Sequence, residues 1–324
     1  MSKLAANGGN AVNELSLPDL YAELASTGLV TRLLELARDE DLGLNGDPGD
    51  LTCAVMLEEA QELEARIMSR AELVTSGLAT LPEALKLFAP NVTISGVVPD
   101  GTKVPKGTPL ATFKGPSSEM LRLERPVLNL VGRLSGIATR TAIFHEAMVA
   151  AAGADCRAKL LDTRKTTPGL RVLEKYAVRC GGGFCHRLGL HDAVLIKDNH
   201  LAGLTPEQVA ARVGEAAQRA AGMRAKGVAI KFFEVEVDTL EQLDALLTLP
   251  AGAIDFVLLD NMPPDVLAQA VAKRDASGLP ILLEASGGVS LESIGAIAKS
   301  GVDRVSVGGL THQAVSIDIG LDAV

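Results

Sequence analysis

The sequence predicts an α/β protein in two parts, a small antiparallel β-rich unit followed by a larger unit of repeated βα pairs. Three observations predict it. Turn-punctuated segments of β character fill residues 65 to 115, a long stretch of helical period follows, and from Arg157 onward short apolar runs alternate with amphipathic helices. With 324 residues, 47% of them apolar, the chain can bury a full core.

Taken in order, "MSKLAANGGNAVNELSLPDL" lacks the continuous apolar run of a signal peptide, and nowhere do eighteen uncharged apolar residues follow one another. The chain therefore reads as cytoplasmic, with no membrane partner. "LPDLYAELASTGLVTRLLELARDE" has helical apolar spacing, which "DEDLGLNGDPGDLT" ends as a loop. The run "EEAQELEARIMSR" reads as a solvated charged surface. "NVTISGVV" and "TPLATFKG" read as hairpin partners around a turn at Pro99-Asp100-Gly101. In "SSEMLRLERPVLNLVGRLSGIATRTAIFHEAMVAAAG" the helical period is expected to start or kink at Pro126 and to break at Gly136.

The six runs "AKLLD", "AVLIK", "IKFFEVEVD", "DFVLLD", "PILLEAS" and "DRVSVGG" read as buried parallel strands. Polar residues collect at their C-terminal ends: Asp162, Thr163 and Arg164, then Lys197, Glu236, Asp260, Ser286-Gly287-Gly288 and Gly308-Gly309. A β/α barrel builds its active site on that face, and glycine turns after the last strands let backbone N–H groups reach a phosphate. At any one position a tight turn or a helix cap explains the residue equally well; six strand ends together are harder to explain so.

Charge narrows the ligand. The chain carries a net −9, no Trp and nine other aromatics, which argues against a nucleic-acid partner, yet residues 157–187 hold eight Arg or Lys against two acids. A local basic cluster in an acidic protein calls for a local anion. The four cysteines read as reduced thiols, and neighbouring Cys185 and His186 lack a second ligand pair that would complete a zinc site. His145, His191 and His312 carry no such pattern.

"LLDTRKTTPGLRVLEKYAVRCGGGFCHRLGLHDAVLIKDNH", with "RPVLNLVGRLSGIAT" before it and "EVEVDTLEQLD", "LLDNM", "EASGGV" and "VSVGGLTHQAVSIDIGLD" after it, resembles the quinolinate phosphoribosyltransferase family. The match runs in order from about residue 17 to the end, and its Asp-Thr-Arg-Lys-Thr and Lys-Asp-Asn-His segments are specific. The resemblance implies an N-terminal tail (1–16), an open antiparallel α+β sandwich (17–137), an incomplete α/β barrel (138–310) and a C-terminal segment (311–324) packing back on the sandwich. It implies transfer of phosphoribose from phosphoribosyl pyrophosphate to quinolinate with loss of CO2, giving nicotinate mononucleotide for NAD synthesis, with Mg2+ as cofactor.

By the same resemblance, quinolinate falls to Thr163, Arg164, Lys165, His186, Arg187 and Lys197, with Arg125 reaching in from the neighbouring subunit of a homodimer or higher oligomer. Phosphoribosyl pyrophosphate falls to Glu236, Asp260, Ser286, Gly287, Gly288, Gly308 and Gly309, with Lys197, Glu236 and Asp260 catalytic and the two carboxylates meeting Mg2+ directly or through water. The chemistry agrees: both substrates are polyanions, and the anomeric carbon gains positive character as pyrophosphate leaves. This chain departs from the family at Cys185, where relatives usually have Asn, and Pro126 sits beside Arg125. A Schiff-base lyase using Lys197, a related transferase for another pyridine, such as the molybdenum-operon homologues, and a catalytically silent binding protein remain as alternatives.

Overall fold

The computed structural model describes residues 10–44, 49–57, 61–153 and 156–324. Its strands are β1 (Glu62–Ser69), β2 (Leu73–Val74), β3 (Thr93–Ser95), β4 (Lys103–Val104), β5 (Pro109–Pro116), β6 (Lys159–Leu161), β7 (Val194–Ile196), β8 (Phe233–Val237), β9 (Phe256–Asp260), β10 (Leu282–Ser286), β11 (Arg304–Ser306) and β12 (Ile319–Ala323). Two compact units share the chain, and they do not divide it at one point. The first holds residues 15–142, 165–182 and 309–324; the second holds 1–14, 143–164 and 183–308.

In the first unit an antiparallel sheet runs in the order β12-β1-β5-β3, beside a separate β2-β4 pair. The expected pairing of "NVTISGVV" with "TPLATFKG" is the β3-β5 ladder, Thr93 opposite Lys114 and Ser95 opposite Thr112. The charged run at 58–70 needs correction. Residues 58–60 lie outside the described residues, but Glu62–Ser69 is an interior strand whose Ala65, Ile67 and Ser69 are buried. Alternation explains the misreading, since Glu64 and Arg66 occupy the opposite face.

The helix Ser117–Ala152 neither starts at Pro126 nor breaks at Gly136. Met120, Leu123, Val127, Val131, Leu134 and Ala138 bury at the three- and four-residue spacing of one helical face, so packing on both sides of Pro126 outweighs the hydrogen bond that proline removes. Gly136 is there for closeness. A Cβ at that position would collide with the carbonyl oxygen of Val315, and one at Gly132 would come within 2.7 Å of the Ile317 carbonyl oxygen.

Around Glu174 the first unit also buries a hub of charge. Arg133 reaches the Glu174 carboxylate from Nη2 at 2.8 Å and donates to the Ala314 and Thr311 carbonyls. The backbone N–H and hydroxyl of Thr167 donate to the same carboxylate at 3.1 and 2.9 Å.

The second unit is built on an all-parallel sheet in the order β6-β11-β10-β9-β8-β7, and its strands are the six runs expected from sequence. Helices Pro206–Ala225, Leu240–Leu246, Pro264–Ser277 and Ile294–Lys299 connect strands, the first two entered through Thr-to-Gln capping boxes. Among the described residues the sheet does not close: β7 pairs with β8, while Phe184 bridges to Leu161 on the outer side of β6. This is the incomplete barrel that the resemblance implied. Among the described residues no helix is long and apolar enough to cross a membrane.

Gly136→Ala tests the close approach. Alanine exceeds glycine in helix propensity by about 1 kcal/mol, so a freely exposed helical glycine such as Gly222, with nothing near its absent Cβ, should gain thermal stability on substitution by alanine. Gly136→Ala should instead lower the unfolding midpoint, and a rise would show that Val315 yields without cost.

Candidate active site

Strand geometry delivers the expected polar residues to one end of the second unit's sheet. Asp162 follows β6, Lys197 follows β7, Glu236 is penultimate in β8, and Asp260 and Ser286 end β9 and β10 directly opposite each other. Alternation places Glu234 on the same face as Glu236, Glu284 with Ser286, and Arg304 with Ser306.

Those companions were missed from sequence, and they form a buried ionic layer. Arg304 is 1% exposed; its Nε lies 2.7 Å from Glu284 Oε2, and its guanidinium sits 3.9 Å from the centroid of the Phe256 ring. The imidazole Nε2 of His186 lies 3.0 Å from Glu234 Oε2 and 3.4 Å from Glu284 Oε1, and its ring meets Phe232 edge-on. Burial raises the pKa of the Glu284 carboxyl, but Arg304 and His186 overcome it and hold the group at about 2. Ligand atoms of His186, Glu234 and Glu284 lie within 4.8 Å of one another, a spacing that suits a metal, yet Arg304 already occupies the cationic place beside Glu284. Cys185 takes no part, and all four cysteines are free thiols.

His186 was expected to meet quinolinate. In this structure its Nε2 faces the two glutamates, and Nδ1 accepts the backbone N–H of Arg187 at 2.7 Å. Burial lowers the imidazole pKa, the two carboxylates outweigh it, and the net shift is upward. In the neutral imidazole an accepting Nδ1 puts the proton on Nε2, toward Glu234, whereas the upward shift favours the imidazolium, in which Nδ1 no longer accepts. His186 thus orients Arg187 from behind.

Arg187 is 6% exposed, with Nη1 held weakly to the Ala193 carbonyl at 3.4 Å. Burial, and then the nearby guanidinium of Arg164, depress its pKa, while Glu234, Asp192 and Glu236 offset them in part. Two guanidiniums within electrostatic reach of one another, one of them buried, make a place for a dianion.

Lys197 Nζ sits 2.5 Å from Glu236 Oε2. Burial raises the Glu236 carboxyl, Lys197 opposes the shift, and Asp260 and Asp198 add to it. Asp260 is likewise raised, by burial first and then by Asp238. Against these acids the Ser286-Gly287-Gly288 turn approaches with bare backbone. Gly287 has φ +84°, and a Cβ there would lie 2.8 Å from Asp260 Oδ1 and collide with the Asn261 side chain. Asn261 has φ +53°, donates its side-chain N–H to Asp260 Oδ2 at 2.7 Å and its backbone N–H to the Ser286 carbonyl. Glycine is the residue that this cradle admits.

The remaining expected residues lie as follows. Thr163 and Arg164 follow Asp162 in the same unit, as Gly308 follows β11. Lys165, Gly309 and Arg125 belong to the other unit: the Lys165 carbonyl accepts from Thr311 Oγ1 at 2.6 Å, the Gly309 carbonyl accepts from Arg140 Nε at 2.7 Å, and Arg125 is an exposed helical residue with Glu124 3.8 Å away. His191 and His312 are exposed and His145 half-buried. Schiff-base chemistry wants a neutral amine in apolar surroundings; Lys197 is half exposed and ion-paired, which disfavours the lyase reading.

Comparison with known proteins adds to this geometry. Residues 137–322 match the family model described as the C-terminal domain of quinolinate phosphoribosyl transferase, and residues 50–135 match its N-terminal domain. A probable nicotinate-nucleotide pyrophosphorylase [carboxylating] of Bacillus subtilis is 42% identical over 283 residues, covering 87% of this chain and 89% of the relative. The nicotinate-nucleotide pyrophosphorylase [carboxylating] of Mycobacterium leprae is 46% identical over 225 residues, covering 69% of this chain and 73% of its own. The solved structure of the Francisella tularensis nicotinate-nucleotide pyrophosphorylase superposes with a TM-score of 0.78 at 35% identity, covering 92% of this chain and 96% of that one.

The buried layer makes its own prediction. Arg304→Met leaves the Glu284 carboxylate sealed without its cation, which should cost about 3–5 kcal/mol in urea unfolding. A loss below about 1 kcal/mol would mean that the pair is dispensable.

Proposed function

The chain belongs to the quinolinate phosphoribosyltransferase family, and on that premise we propose that it transfers phosphoribose from phosphoribosyl pyrophosphate to quinolinate, releasing pyrophosphate and CO2 and forming nicotinate mononucleotide. The observation that carries this reading is the buried Arg187 set against Arg164, with the Lys197–Glu236 pair at the neighbouring strand ends. Arg164 and Arg187 take the two carboxylates of quinolinate through their planar forks, and Lys197 adds a mobile charge that the substrate shares with Glu236. Thr163, next to Arg164 in the same unit, adds a neutral hydroxyl beside them. Glu236 and Asp260 face the anomeric carbon, whose positive character they stabilise as pyrophosphate departs.

The pyridine nitrogen supplies the electron pair for the new bond to the anomeric carbon, and the bond to pyrophosphate breaks. The ring nitrogen, now cationic, stabilises the electron pair left on C2 when its carboxylate leaves as CO2, and a proton from solvent then bonds to that carbon to complete the product. Positioning and neutralisation are the protein's share. The phosphates rest on the Ser286-Gly287-Gly288 turn and on Gly308, where no Cβ keeps the backbone away.

A divalent ion fits the donor set. Glu236 and Asp260 are oxygen donors, each raised in part by neighbouring acids, and a hard cation relieves that repulsion. They would hold Mg2+, directly or through water, and the ion when bound spreads the charge of the pyrophosphate. Arg125, exposed on its helix, is proposed to complete the quinolinate site of a partner subunit in a homodimer.

The test is direct: quinolinate, phosphoribosyl pyrophosphate and Mg2+ should yield nicotinate mononucleotide and CO2, and a purified protein that forms neither overturns the reading. Arg125→Ala and Lys197→Ala should each be folded and inactive. When they are co-folded, half the dimers are mixed and each holds one intact site, so activity should return to about a quarter of wild type; no return from demonstrated heterodimers would place Arg125 outside the site.

Metal binding has a readout apart from turnover. Because the folded pKa of Asp260 is raised, its contribution to stability is fully present below the unfolded carboxylate value and is lost as pH rises through the folded one. Asp260→Asn should therefore raise the melting temperature at pH 7 in metal-free buffer, with the gain vanishing near pH 4. Mg2+ should raise the wild-type melting temperature and leave that of Asp260→Asn nearly unmoved; an equal rise in both would assign the ion elsewhere.

A further inference from the structure

We propose that Asn10 and Asn13 are positioning residues for Arg187, an inference that rests on the function proposed above. On the outer side of β6 the pairing is a single bridge at Phe184, whose N–H reaches the Leu160 carbonyl while its own carbonyl accepts from the Asp162 N–H. The next three residues lead to Arg187, are buried, and have left the ladder. Their backbone groups still need partners.

Side chains provide them. The amide of Asn13 accepts from the Cys185 N–H at 2.8 Å and donates to the Cys185 carbonyl at 2.9 Å, so one side chain does for Cys185 what a neighbouring strand would do. Asn10 Nδ2 donates to the His186 carbonyl at 3.2 Å. The His186 N–H goes to Asp162 Oδ1 at 2.9 Å and the Arg187 N–H to the His186 ring. Both asparagines are buried, Asn10 fully.

Neither amide is free to flip. Asn10 Oδ1 accepts from Lys231 Nζ at 3.1 Å and from the Val12 N–H, which leaves Nδ2 for His186. Lys231 also lies 3.4 Å from Asp192, whose carboxylate receives the N–H groups of Leu188 and Gly189. The backbone from 185 to 189 thus hangs on side chains from residues 10–13, Asp162 and Asp192. Arg187 stands in the middle of it. A shift of this segment by a fraction of an ångström moves the guanidinium off the quinolinate carboxylate while leaving the glycine turns at the ends of β10 and β11 where they are.

The experiment uses the full-length enzyme, with KM measured for each substrate. Asn13→Ala and Asn10→Ala should raise the quinolinate KM about tenfold and change the phosphoribosyl pyrophosphate KM less than about twofold. Asn13→Asp keeps the acceptor for Cys185 and loses the donor, so its rise should be smaller. In an Arg187→Lys background, Asn13→Ala should add less than about twofold to the quinolinate KM, because both changes act on one contact. Equal shifts in the two KM values, no shift, or full additivity with Arg187→Lys overturns the proposal. If Asn13→Ala does not fold, Asn10→Ala and Asn13→Asp decide: an unchanged quinolinate KM in both refutes it. A wild-type protein with no turnover of quinolinate would overturn the function proposal instead, which keeps the two failures apart.

Discussion

A guanidinium sealed inside a parallel sheet has to be neutralised where it lies, and Arg304 sets that condition on the whole of the second unit. Its partner Glu284 stands directly opposite on the adjacent strand, and Phe256, one strand further, offers its ring face. Because side chains alternate along a strand, a slip of one residue would send either charge to the helix-covered face without its partner. Ion pairs of this kind seldom add net stability over well-packed apolar residues. What this one fixes is register, and register decides that Asp260 arrives opposite Ser286 and that Glu236 arrives where Lys197 can reach it. The geometry of the strand ends follows from a contact two residues below them.

Glu174 has a comparable place in the first unit. It gathers Arg133 from the long helix, the start of the loop after Lys165 and, through Arg133, the carbonyls of Thr311 and Ala314. The basic loop "TRKTTPGLR" is therefore held by an acid that no strand-end pattern announces. Its cations are displayed by anchoring the uncharged Thr167, which leaves Arg164 and Lys165 to other partners.

Strand ends were legible because composition and position coincide there: an apolar run that finishes in Asp, Lys or Gly-Gly states both its direction and its chemistry. Glu234, Glu284 and Arg304 broke the same runs from within, and the charge inside "FFEVEV", "ILLEAS" and "DRVSV" was the available signal. Pairing them required knowing which strands are neighbours, and β11 lies beside β6 and β10, an order that one sequence does not display. β1 was misread because half of an amphipathic strand resembles a charged surface when its partners are far away in the chain. Gly136 was misread for a related reason: the carbonyl that demands a glycine belongs to Val315. Asn10 and Asn13 lie in what the resemblance leaves as an N-terminal tail, and only the backbone they satisfy reveals their work.

The pairing of β1 with β12 has a consequence for how the molecule is made. β12 follows β1 only after all the other strands have been made, so one long edge of an interior strand waits unpaired while the chain between them is synthesised. The chain also passes between the two units five times, so neither can be finished from a contiguous stretch. Closing the β1–β12 pair carries the loop-closure entropy of the long chain between them. The outward Glu64 and Arg66 on β1 then act before the native state exists, as charges that discourage a nascent edge from pairing with another copy of itself.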